Sequence, residues 1–124
     1  MKIFIADDSA VIRERLISLL SECPGIEIIG QAQDAAETMK LLETLNPDVV
    51  ILDIRMPGES GIEVLRNIKQ CKQAPKVIML TNYPYPQYRD KCLELGADYF
   101  FDKSTEFNKI PEILASMNTA SPAD

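Results

Sequence analysis

Three aspartates, a threonine and a lysine sit along this 124-residue chain where short apolar runs end. Lys2 to Ala6 stops at Asp7-Asp8, and Val49 to Leu52 stops at Asp53. Val77 to Leu80 stops at Thr81, and Tyr99 to Phe101 stops just short of Lys103. Gathered in one pocket, these groups have the chemistry of phosphoryl transfer, which needs mainly positioning and charge neutralisation. Three carboxylates a few ångström apart repel unless a cation or a proton lies among them. Mg²⁺ suits the place, because it wants hard oxygens and usually takes one or two carboxylates plus a phosphate; Mn²⁺ is the substitute. Asp53 ends the run expected to be held most rigidly, so it is the expected nucleophile, and its attack on phosphorus gives an aspartyl phosphate. Lys103 would neutralise the phosphoryl oxygens, and Thr81 would donate its hydroxyl to one of them.

Each residue alone has an ordinary explanation. Asp8 and Ser9 open a helix, where aspartate caps and favours the dipole. Asp53 could simply turn the chain into Met56-Pro57-Gly58. Thr81 suits a strand, and most lysines are solvated. What carries information is the joint pattern, since all four positions would have to land on one sheet edge by chance.

The elements that must position them follow from periodicity. The apolar runs have the length of strands buried on both faces, and helical patterns separate them, which implies a parallel sheet. In such a sheet the strand C-termini share one edge, and ligands bind there at the topological switch point. The first helix should carry Ile12, Leu16, Leu19, Leu20 and Cys23 on one face and end at Pro24-Gly25. Ile26 to Ala32 is the second strand. Asp34 with Glu37 resembles a capping box for a helix burying Met39, Leu42 and Leu45, which Asn46-Pro47 breaks before the third strand, Asp48 to Leu52. Ser60 and Glu63 form an S-x-x-E box ahead of Ile62, Leu65 and Ile68. Pro75 precedes the fourth strand. Pro86 suits the first turn of a helix that buries Tyr88, Cys92 and Leu95 and stops at Gly96. Asp98 to Phe101 is the fifth strand. The last helix, with Phe107, Ile110, Leu114 and Met117 inward, should begin near Pro111 after a looser turn from Thr105 to Lys109. Right-handed crossovers favour the strand order 2-1-3-4-5, which seats the first and third strands side by side.

Composition narrows the classes. The length bounds one domain with an ordinary core, assigned to residues 1–118, with 119–124 as a frayed tail. Hydrophobic content is 46%, and no apolar run approaches membrane-spanning length. No signal peptide is legible near Met1, and the three irregularly spaced cysteines read as reduced thiols, so a cytoplasmic location is expected. The formal charge is −6 without a basic face, which argues against direct nucleic-acid binding. There is no histidine, so any phosphohistidine donor must belong to a partner.

The ordered set resembles the receiver domain of two-component response regulators, the family that includes the stand-alone chemotaxis regulator. The resemblance covers Lys2 to about Met117. It rests on Asp7-Asp8, on Leu52-Asp53-Ile54-Arg55-Met56-Pro57-Gly58, on Thr81, and on Gly96-Ala97-Asp98 leading to Lys103. It implies an α/β, flavodoxin-like doubly wound five-stranded parallel sheet with Asp53 as phosphoacceptor. It also implies that Asp8 and Asp53 bind Mg²⁺ directly, that Asp7 acts largely through water, and that the backbone carbonyl of Arg55 is a further ligand. Thr81 would move toward the phosphoryl group, and Phe100, three residues before the lysine, would be the rotamer switch. The implied partners are a sensor histidine kinase or histidine phosphotransfer protein, and a downstream protein met by the face of the fourth helix, fifth strand and last helix. The implied assembly is a monomer or a phosphorylation-dependent dimer. Arg55 and Tyr83, each two residues beyond a site residue, should stand at the mouth and set the phosphoryl lifetime.

The chain departs from the common pattern at three positions. Asn82 stands where a small residue is frequent, Phe100 replaces tyrosine, and Ser104 replaces a frequent proline. A cis bond before Ser104 would cost about 3–4 kcal/mol, so a trans bond is expected. The expected function is a phosphorylation-activated switch of a phosphorelay rather than a metabolic enzyme. The competing reading is a phosphohydrolase with an aspartyl-phosphate intermediate, as in haloacid dehalogenase-like enzymes. Those enzymes carry a D-x-D pair, and neither Asp7 nor Asp8 is followed by aspartate two residues on. A degenerate scaffold of the same fold is the third reading, and the intact acidic, hydroxyl and lysine positions weigh against it.

Overall fold

The computed structural model describes residues 1–119. Strands and helices alternate along them: β1 (Lys2–Ala6), α1 (Ala10–Leu20), β2 (Glu27–Ala32), α2 (Ala35–Leu42), β3 (Val49–Leu52), α3 (Gly61–Lys69), β4 (Lys76–Thr81), α4 (Pro86–Glu94), β5 (Tyr99–Asp102) and α5 (Lys109–Thr119). The strands form one parallel sheet in the order β2-β1-β3-β4-β5. Both the α/β class and the strand order therefore match the sequence reading. Of the tail assigned to 119–124, Thr119 closes α5 and the rest lies outside the described residues.

Side chains alternate across each strand, so each apolar run feeds two cores. Phe4, Val50, Leu52, Val77, Met79 and Phe100 pack toward α2, α3 and α4. Ile3, Ile5, Ile51, Ile78, Leu80 and Phe101 pack toward α1 and α5, against Leu16, Ile110 and Leu114. All four residues of β3 are buried, which is why that run shows no polar alternation. Each fully buried Val, Leu, Ile, Phe or Met contributes about 1.5–3 kcal/mol, so the centre of the sheet is the most firmly held part of the domain. Asp53 hangs from that centre.

Register then sets the upper edge. Ala6 lies opposite Leu52, and Thr81 lies opposite Asp102. The ladder continues one rung further, with Asp53 N–H donating to Ala6 O at 3.0 Å and Lys103 N–H donating to Thr81 O at 2.9 Å. Asp53 and Lys103 are thus held by main-chain hydrogen bonds beyond the last formal strand residue.

Capping differs from expectation in detail. Asp34 accepts from Glu37 N–H at 2.7 Å, and Glu37 reaches back to Gln33 N–H at 2.9 Å, one residue ahead of the cap. Ser60 caps α3 through Ile62 N–H at 3.1 Å, but Glu63 does not close a box: its carboxylate turns to Arg66 at 3.5 Å. An i,i+3 partner on the same exposed face competes with the reach back to the cap. Helix α1 ends at Leu20, before Pro24-Gly25, and α2 ends at Leu42. Leu45 therefore lies outside α2, yet it is partly buried against the core, close enough that a Cβ on Gly30 would meet its Cδ1 at 2.9 Å. Val64, absent from the expected face of α3, is fully buried.

Helix α5 begins at Lys109, two residues earlier than expected, because Pro111 falls in its first turn, where no intrahelical partner is lost. Gly96 ends α4 at φ 105°, with its N–H bonded to Leu93 O at 3.1 Å and Ala97 N–H bonded to Cys92 O at 2.9 Å. That pair of bonds is a Schellman motif, and the left-handed φ is what requires glycine. No cis peptide bond occurs among the described residues, so Lys103-Ser104 is trans as expected. The three cysteines are free, and burial pushes the Cys92 thiol up to about 11, leaving it inert. No described helix is long and apolar enough to cross a membrane.

Candidate functional site: an acidic rim bridged by a buried lysine

Asp7, Asp8 and Asp53 meet where β1 and β3 end, with carboxylate oxygens within 4.8 Å of one another. Lys103 enters from the end of β5 and bridges two of them: its Nζ lies 2.7 Å from Asp7 Oδ2 and 2.8 Å from Asp53 Oδ2. All three bridged side chains are about 95% buried, whereas Asp8 is exposed at the rim. The remaining oxygens of the buried pair are anchored by the main chain. Asp53 Oδ1 accepts from Ile54 N–H at 2.7 Å, and Asp7 Oδ1 accepts from Ser9 N–H at 2.9 Å.

Three carboxylates face one ammonium, which leaves a formal excess of two negative charges. Burial pushes the Asp53 carboxyl above its ordinary value, and the Asp7 charge adds to this, against the opposing pull of Lys103. Burial by itself would lower Lys103; the hydrogen bonds and charges of Asp53 and Asp7 override it and hold the ammonium above its ordinary value. Lys103 is therefore charged at neutral pH, and Asp53 is strained toward accepting either a proton or another cation. Hard oxygens with excess negative charge are the donor set that Mg²⁺ takes. Arg55 adds a backbone carbonyl that accepts no hydrogen bond among the described residues. The residues present fit such an ion.

Thr81 is fully buried at the end of β4, and its Oγ1 accepts from Tyr83 N–H at 3.0 Å rather than bonding to the acidic rim. Its proton remains available to an acceptor arriving at Asp53. Phe100 is 5% exposed, with its ring turned into the core, and Arg89 of α4 lies over it at 5.8 Å from the ring centroid. Arg55 and Tyr83 come together as the offsets suggest: the guanidinium stacks on the tyrosine ring at 4.4 Å. Tyr83, Tyr85 and Tyr88 form a chain of tilted contacts at 6.4 and 5.6 Å. A cavity of about 600 Å³ opens beside them, with Asp8, Arg55, Ile62, Tyr83 and Tyr88 in its wall.

Gly61 is part of the site and was not singled out from sequence. It starts α3 hard against Asp53: a Cβ there would fall inside the Asp53 carbonyl oxygen, 2.8 Å from its carbon and 2.9 Å from Ile54 Cα. Its N–H donates to Ile54 O at 2.6 Å. The signal was a glycine at the first position of a helix already capped by Ser60, where helix geometry does not call for it and it needs a reason. That reason is close backbone approach.

The model of the response regulator receiver domain matches residues 3–115. This chain belongs to that family. The receiver domain is 37% identical over 131 residues to a protein-glutamate methylesterase/protein-glutamine glutaminase of Koribacter versatilis, covering 99% of this chain and 36% of that one. It is 30% identical to the transcriptional regulatory protein LiaR of Bacillus subtilis, covering 98% and 58%. It thus spans between about a third and three-fifths of these relatives' length. Among solved structures, the response regulator domain of Thermotoga maritima CheB superposes with a TM-score of 0.84 at 30% identity, covering 100% of this chain and 98% of that one. A chain of the CheX-CheY-BeF3-Mg²⁺ complex of Borrelia burgdorferi gives 0.86 at 30% identity, covering 95% and 89%.

Proposed function

We propose that this receiver domain is a phosphorylation-operated switch that accepts a phosphoryl group on Asp53 and alters its outer surface to regulate a partner. The observation that carries the reading is the Lys103 ammonium held between two buried carboxylates at the C-terminal edge of a parallel sheet. The donor is a phosphohistidine on a sensor histidine kinase or a histidine phosphotransfer protein, since the chain has no histidine. An Asp53 carboxylate oxygen attacks phosphorus, the phosphorus–nitrogen bond breaks, and the electron pair leaves with the partner's imidazole. Asp8, Asp53 and the Arg55 carbonyl would hold Mg²⁺ directly, and Asp7 largely through water. That ion supplies charge for the phosphoryl oxygens as they gain negative character. Lys103 exchanges a carboxylate oxygen for a phosphoryl oxygen, and the Thr81 hydroxyl donates to another.

Incubation with acetyl phosphate and Mg²⁺ should add one phosphoryl group, read by intact mass. No gain in mass under saturating donor would defeat the reading.

Drawing Thr81 toward phosphorus breaks the Tyr83 N–H contact and loosens the segment ahead of α4, which biases a two-state element at a distance. Tyr85 is half exposed on that segment, and interfaces favour tyrosine. Phe100 and α5 complete the responding face. Amide exchange compared with and without beryllofluoride should change most from Thr81 to Tyr88 and around Phe100. Changes confined to residues 7–8 and 53–56 would remove the switch from the account.

Arg55 and Tyr83 are expected to lengthen the life of the phosphorylated state, because their stacked pair covers the approach of water to Asp53. A stacked pair of this kind is worth about 0.5–1 kcal/mol when exposed. The Arg55→Ala, Tyr83→Ala double variant should therefore lose phosphate severalfold faster, because removing both side chains opens the path of water. An unchanged rate would place the barrier elsewhere in the site.

A further inference from the structure

Within the acidic rim, Asp8 differs from Asp7 and Asp53 in that nothing holds its side chain. Its carboxylate makes no hydrogen bond or ion pair among the described residues, whereas those of Asp7 and Asp53 are each anchored twice. Where Asp8 points is therefore set by its backbone, and above all by the Asp7–Asp8 peptide. That peptide has one side-chain clamp. Arg13, a turn into α1, donates from Nη1 to the Asp7 carbonyl at 2.6 Å. The same guanidinium donates from Nε to Gln31 Oε1 at 2.8 Å on the edge strand β2. Asp7 N–H in turn donates to Ala32 O at 3.0 Å, so the clamp and the ladder grip both sides of Asp7.

We infer that Arg13 is a positioning residue for the cation site: by fixing the Asp7–Asp8 peptide against β2 it aims the otherwise unanchored Asp8 carboxylate. The inference rests on the acidic rim being a Mg²⁺ site, as proposed above. Two effects of Arg13 oppose each other. Its clamp preorganises a ligand, and its positive charge repels an arriving cation. The fixed fork of a guanidinium is what lets two acceptors on different strands be held at once, and lysine has no such fork. Partners that orient a ligand typically change metal affinity by about 10–100-fold, more than one partly solvated charge does at the rim of a site. Positioning therefore dominates.

Titration calorimetry with Mg²⁺ alone separates the two effects without reference to phosphorylation. Arg13→Lys keeps the charge and loses the fork; Arg13→Met loses both. Both are expected to weaken Mg²⁺ binding by about 10-fold with an unchanged circular dichroism spectrum. In an Asp8→Asn background, adding Arg13→Lys should produce no further loss. Tighter binding by Arg13→Met with unaltered binding by Arg13→Lys would mean charge alone and overturn the inference. A loss that persists undiminished in the Asp8→Asn background would also overturn it, since Arg13 would then act through another group. If Arg13→Met does not fold, Arg13→Lys and the Asp8 cycle carry the comparison. Wild-type protein that binds no Mg²⁺ would overturn the metal site and this inference together, whereas normal binding by wild type and Arg13→Lys alike would overturn this inference alone.

Discussion

Asp53→Asn is expected to abolish phosphoryl labelling completely while leaving the domain as stable as before or more so. The neutral amide has no charged oxygen to attack phosphorus, and no other carboxylate can substitute. Asp7 is tied to Lys103 and to Ser9 N–H, and Asp8 lies exposed at the rim without a contact to Lys103. The direction of the stability change follows from the environment of Asp53. Burial and the neighbouring Asp7 charge outweigh the help of Lys103, so the folded protein disfavours the ionised form. Removing that charge removes a net cost, while the amide oxygen can still accept from Lys103. Intact mass after acetyl phosphate treatment and urea unfolding check the two halves separately. Stoichiometric labelling of the variant would move the phosphoacceptor elsewhere.

Lys103→Met should give the largest loss of stability of any single change at the site, about 3–5 kcal/mol near neutral pH. Among the described residues, the ammonium is the one positive charge bridging these two carboxylates, which are themselves about 95% buried. Without it, both are left facing each other unpaired. The pH dependence is also fixed in sign. Lys103 lowers the Asp53 value, so its removal lets a carboxyl already above 3.8 rise further. A folded value above the unfolded one means that the native state binds the extra proton, and stability then increases as pH falls through the folded value. The deficit against wild type should therefore shrink as the pH falls below neutral. At the alkaline end the deficit shrinks again. The contribution of Lys103 is complete below 10.5 and is lost as pH rises through its raised folded value, a loss that the methionine variant lacks. Urea unfolding of both proteins across this range reads all three regimes. Equal stability at neutral pH would mean that the carboxylates do not depend on the lysine for neutralisation.

How much of this was legible depended on whether a property is local or tertiary. The strands and their parallel arrangement were readable because doubly buried strands leave uninterrupted apolar runs, and Asp7, Asp53, Thr81 and Lys103 were readable because they end those runs. The offsets of Arg55 and Tyr83 led to the expectation of both at the mouth, whereas the stacking of one on the other is visible only in three dimensions. Helix ends were read less well. Leu45 has the right spacing for α2 but lies past its end, and the helical pattern sees only that the side chain faces inward. Glu63 had the spacing of a capping box, and an ion pair with Arg66 won. Gly61 and Arg13 were missed for a different reason: Gly61 meets the backbone at the start of the loop that leads into it, Arg13 meets the Asp7 carbonyl and a side chain on the edge strand, and no linear pattern encodes these contacts.

The close seating of Gly61 on Asp53 makes one wall of the phosphoryl pocket an abutment. Helix α3 can neither slide toward the nucleophile nor tilt away without breaking the Gly61–Ile54 bond at 2.6 Å. The opposite wall is built differently: residues 82–85 leave β4 as an irregular strap, tethered near its start by one hydrogen bond to the Thr81 hydroxyl. A load applied at Asp53 meets a stop on one side and a spring on the other. If phosphorylation loads Asp53 as proposed, the recoil would travel toward α4, and the domain would act as a rectifier of mechanical strain.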